Sequence, residues 1–110
     1  MTGPVTWSVT GPITGAATRV RVGPGADVAA LVRAAPAGSV LVLIDPALDA
    51  PAAAQVLAAI GPLAVERGPD TRVNALFVAA DARGEDAEAA ARFLEAARST
   101  TGQVLRVGAR

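Results

Sequence analysis

The chain has 110 residues with ten acidic and ten basic side chains, a formal net charge of +0 and 52% hydrophobic residues. That length suits one domain, and the charge balance gives no electrostatic footprint for nucleic acid or an anionic membrane. All ten basic residues are Arg, and Lys, His, Cys and Tyr are absent, which excludes Schiff-base chemistry, His- or Cys-based metal centres, disulfides and Ser-His-Asp triads.

Val5, Trp7 and Val9 alternate with Thr6, Ser8 and Thr10, the period-two pattern of a half-buried strand. Gly11-Pro12 and Gly15 break it, and Thr18 to Val22 resumes it with Arg19 and Arg21 opposite Val20 and Val22. A β-hairpin is the simplest reading. After Gly23-Pro24-Gly25, Asp27 is placed to cap a short helix running to about Ala35, with Val28, Leu31, Val32 and Ala35 as its apolar stripe. Ser39 to Asp45 is almost wholly aliphatic, which reads as a strand covered on both faces. Asp49 and Pro51 announce the next helix, whose stripe is Ala53, Val56, Leu57 and Ile60. Pro62 within it lacks an N–H and opposes the carbonyl of Ala58, so a kink or restart is expected there.

Thr71 to Asp81 carries a second buried strand through Val73, Ala75, Leu76, Phe77 and Val78. A third helix is expected from Gly84 to about Thr100. Its acids Glu85, Asp86 and Glu88 compensate the positive first turn, and its inward residues are Ala90, Phe93, Leu94 and Ala97. Glu88 precedes Arg92 by four residues, the favourable order for a pair. Gly102 turns the chain into a last strand, Gln103 to Val107.

The element order ββαβαβαβ predicts a single α/β domain over residues 1–110. Its sheet is five-stranded and mainly parallel, with three helices and an antiparallel N-terminal strand. The strands at 39–45 and 71–81 belong at the centre, and the Arg-bearing strand and the short last strand at the edges. If strand order follows the chain, right-handed crossovers place every helix on one face and leave the aliphatic strand bare on the other. Either the order doubles back or a partner covers that face.

Three constellations invite chemistry. Gly23-Pro24-Gly25 lies between a strand and a helix, and Asp45 ends the next strand, the layout of a dinucleotide fingerprint. Val28 stands where a third glycine is needed, Pro24 removes an N–H, and Asp27 brings negative charge to the phosphate position. Asp45 and Asp81 close two parallel strands at the carboxyl edge, where open α/β sheets bind ligands. They suit either Mg²⁺ through oxygen or the capping and turn roles of aspartate, and Pro46 favours the latter. Arg19, Arg21 and Arg106 form a third group, read first as charges that discourage edge pairing. Trp7 is a core residue or, with Arg19 and Arg21, part of an interface.

The hydrophobic fraction is largely Ala, at 27 residues, with only Trp7, Phe77 and Phe93 aromatic. Few charges, neutrality and abundant Ala favour self-association or a covered surface. Ala and Arg in place of Ile and Lys suggest a GC-rich bacterial origin. Met1-Thr2-Gly3-Pro4 lacks the basic start of an export signal and no apolar run spans a membrane, so a cytoplasmic location is expected. The sequence therefore predicts a non-catalytic protein–protein interaction or assembly module, acting on a protein partner or as a homo-oligomer. It expects no cofactor, metal, nucleic acid or membrane. The alternative is a small-ligand or nucleotide-binding domain using Gly23, Gly25, Asp27, Asp45 and Asp81, and a metal-assisted hydrolase using Asp45 and Asp81 ranks third.

Overall fold

The computed structural model describes residues 17–108. Within them the order is β1 (Ala17–Val22), α1 (Val28–Ala34), β2 (Ser39–Ile44), α2 (Ala50–Arg67), β3 (Arg72–Val78), α3 (Gly84–Ala96) and β4 (Val104–Val107). The expected strand over Val5–Val9, with Trp7, lies outside the described residues. The described sheet has four strands, all parallel, in the order β1-β2-β3-β4. The aliphatic strand and the one after it are central, as their hydrophobicity requires, and the Arg-bearing β1 and the short β4 form the edges.

Alternation along β2 divides the core. Val40, Val42 and Ile44 point to one face, where Val32 of α1 and Val56, Ile60, Leu63 and Ala64 of α2 pack on them. Leu41 and Leu43 point to the other, where Ala87, Ala91 and Leu94 of α3 close over them with Leu76 and Val78. Every residue of β2 is buried. Neither sequence alternative holds: the strand order follows the chain, and it is the protein's own α3 that covers the second face of β2. The strands step in one direction while α3 lies opposite α1 and α2, so the β3-α3-β4 connection has the opposite hand to the other two. Parallel crossovers share one hand almost without exception, so a change of hand within one sheet is unusual. With α3 in place, β2 is covered on both faces by its own chain.

Helix α2 runs unbroken through Pro62, where a kink or restart was expected. Pro62 and Ala58 both lie on its exposed side, so the carbonyl that loses its N–H partner faces water. In α3 the buried residues are Ala87, Ala91 and Leu94, whereas Phe93, expected inside, is 64% exposed. Positions 87, 91 and 94 share one stripe, and 93 lies more than a quarter-turn off it. The helix stops at Ala96, so Arg98 falls beyond its last turn.

Two arginines tie the helices down. Arg67, at the end of α2, donates through Nη1 to the carbonyls of Val32 (2.6 Å) and Arg33 (3.0 Å) and through Nη2 to Ala35 (3.0 Å), capping the C-terminus of α1. Arg72 on β3 does the same for α3, donating to the carbonyls of Ala97 (2.5 Å) and Glu95 (3.4 Å). Buried Asn74 holds the loop into β4: its Nδ2 donates to Thr100 O (2.9 Å) and its Oδ1 accepts from Gln103 N (3.0 Å). Among the described residues no helix is long and apolar enough to cross a membrane.

Candidate functional site at the carboxyl edge

In an all-parallel sheet every strand ends at the same edge, and here Gly23, Asp45 and Asp81 follow the ends of β1, β2 and β3. Gly23 to Ala26 form a β-turn closed by Ala26 N–H to Gly23 O at 3.1 Å. Pro24 supplies the fixed φ of its second position and Gly25, at φ +85°, the left-handed third. Asp27 then caps α1, its Oδ1 accepting from Ala30 N at 3.1 Å. The turn is built from residues that suit a turn, and it presents a carboxylate at the start of α1. A pyrophosphate cradle needs free N–H groups there; Pro24 has none, the Ala26 N–H closes the turn, and the Ala30 N–H is bound by Asp27. Pro24, Ala26 and Asp27 are therefore the points at which this turn departs from a dinucleotide cradle.

Asp45 is drawn against this turn, and a Cβ built on Gly23 would sit 3.6 Å from its Oδ2. Both carboxylate oxygens have partners. Oδ1 accepts from Ala47 N at 2.8 Å, an Asx-type turn, and Oδ2 accepts from Arg21 Nη2 at 3.2 Å. Asp49 caps α2 through Ala52 N at 2.8 Å. Asp81 lies in the exposed turn after β3 and is itself engaged in an interaction. Among the described residues no three His, Cys, Asp or Glu side chains converge to hold a metal ion.

Arg19, Arg21 and Arg106 do not form one group. Arg106 is on β4, across the sheet from β1, with its guanidinium 5.3 Å from the centre of the Phe77 ring. Arg21 pairs with Asp45. Arg19 turns to the α3 face, where its guanidinium binds both Glu95 (2.7 and 3.0 Å) and Glu88 (2.9 and 2.9 Å). This double fork holds the guanidinium charged, raising its pKa chiefly through Glu95 and then Glu88. The Arg19 bond holds the Glu88 carboxyl below the usual carboxylate range, with Arg92 adding a smaller effect. Glu88 does reach Arg92 at 3.3 Å, yet its closer partner is Arg19, so its task extends beyond the dipole of its own helix. Arg67, Arg72 and Asn74 carried no local signal, because each acts on an element distant in sequence. The spacing of Glu88 and Glu95, seven apart beside the apolar stripe, was the one visible hint of the Arg19 clamp.

An open parallel sheet with helices on both faces places the chain in the α/β class, the architecture on which dinucleotides are commonly bound. Within that class, a family model described as short chain dehydrogenase-like protein matches residues 12–107, and the chain belongs to that family. No curated protein and no solved structure matches it. A dehydrogenase leaves hydride chemistry to its nicotinamide and needs from the protein a phosphate cradle and a positioned proton donor or acceptor. Among the described residues the carboxyl edge offers two helix-capping aspartates and the Arg21–Asp45 pair.

Proposed function

We propose that this chain is a non-catalytic member of the short chain dehydrogenase-like family that serves as a protein–protein interaction or assembly module. One observation carries the reading: at the carboxyl edge Asp27 and Asp49 cap helices, and Asp45 closes a turn and pairs with Arg21, so each of the three has a role in holding the fold. The missing Lys, His, Cys and Tyr agree with it, since few groups are left to move a proton near neutral pH. The outward side of α2, with Ala54, Ala58 and Val65, the last 81% exposed, supplies an apolar surface of the kind such modules use. Zero net charge adds little repulsion between copies.

The test combines two measurements on the full chain. Sedimentation over a hundredfold range of concentration should show mass rising above the monomer, or the chain should co-purify with a stoichiometric protein partner. Thermal unfolding should be unmoved by NAD⁺, NADP⁺ or Mg²⁺. A bound ligand at a hundredfold excess over its Kd adds about 2.7 kcal/mol of stability. A rise of that order, lost in a folded Asp45→Ala variant, would establish ligand binding at the carboxyl edge instead.

A further inference from the structure

We draw no further inference here: the strongest candidate, the outer edge of β1, which pairs with β2 alone among the described residues and has Arg19 and Arg21 folded back onto Glu88, Glu95 and Asp45, carries nothing because nothing in the described structure shows what covers it.

Discussion

At the scale of single residues, position matters more than residue type, and Arg19 illustrates it. As an edge-strand cation it reads as a guard against strand pairing, yet its side chain is only 18% exposed and is clamped between two carboxylates. Arg19→Met keeps the aliphatic stem and removes the fork. The variant should lose about 1–2 kcal/mol at pH 7, at the upper end for charged hydrogen bonds discounted for the 36% exposure of Glu88. The sign of its pH dependence follows from Glu88, whose carboxyl is lowered in the folded state. The unfolded chain then binds more protons in the window below the usual Glu value of ~4.3, so the clamp's contribution is complete above that value and fades as pH falls through the lowered one. Urea titrations from pH 7 to pH 3 should show the gap between wild type and Arg19→Met closing in acid; a gap independent of pH would remove Glu88 from the account. Gly108 and Gly25 form a second contrast. Both have positive φ, at +81° and +85°, but a Cβ on Gly108 would meet Ala82 at 2.7 Å while one on Gly25 meets nothing. Gly25→Ala should cost about 1–2 kcal/mol for the left-handed backbone alone. Gly108→Ala should cost about 2–4 kcal/mol, because the clash with backbone adds to it. Equal losses in chemical denaturation would mean that the backbone at Gly108 simply moves aside from Ala82.

At the scale of elements, the helices were legible where their own sequence decides them and illegible where a neighbour does. The caps at Asp27 and Asp49 and the stripe of Val56 and Ile60 are local signals and hold in the structure. The unbroken path through Pro62 is not local. Seven residues is short for a helix to hold itself, and α1 depends on Arg67 at the far end of α2 for its C-terminal carbonyls. Arg67→Met should therefore unpin α1, with amide exchange of Val32 to Ala35 accelerating ahead of the rest of the molecule and a loss of about 1.5–3 kcal/mol. Arg67→Lys should recover only part of this, since an ammonium cannot reach three carbonyls as a planar fork does; full recovery would reduce the role to charge. Pro62 offers a prediction of opposite sign. Its neighbours keep helical geometry without its N–H, so Pro62→Ala should restore the bond to Ala58 and raise stability by about 1–2 kcal/mol. That figure is the proline penalty of ~3 kcal/mol less the entropy returned to the unfolded chain and relaxation at the exposed site. A neutral or destabilising result in thermal unfolding would show that the ring itself packs usefully.

At the scale of the whole molecule, strand identity and centrality could be read from the sequence, and handedness could not. β2 and β3 announce themselves as runs of buried aliphatics, but nothing local to residues 84–96 says which face α3 will take. That choice is made by the sheet, because Leu41, Leu43, Leu76 and Val78 make the second face too apolar to leave in water. The opposed arginines and glutamates then fix the helix on it. The site was legible in part for the same reason: a β-turn and three capping or turn-forming aspartates are local features, whereas the pairing of Arg21 with Asp45 needs β1 beside β2. The two faces are unequal in consequence. The first is closed by two helices, and the second by one helix whose buried side chains are Ala87, Ala91 and Leu94. Leu94 is the only large side chain among them, so Leu94→Ala should cost about 2–4 kcal/mol. The loss should also be uneven: α3 should open as a unit before the α1–α2 side does. Hydrogen exchange on Leu94→Ala should show Ala87 to Ala96 and the adjoining β4 amides losing protection first, while Val56 to Ala64 keep theirs. Combining it with Arg19→Met should give a loss different from the sum of the two single losses, since both residues hold the same helix. Uniform loss of protection across both faces, with additive energies, would show instead that the sheet and its three helices unfold only together.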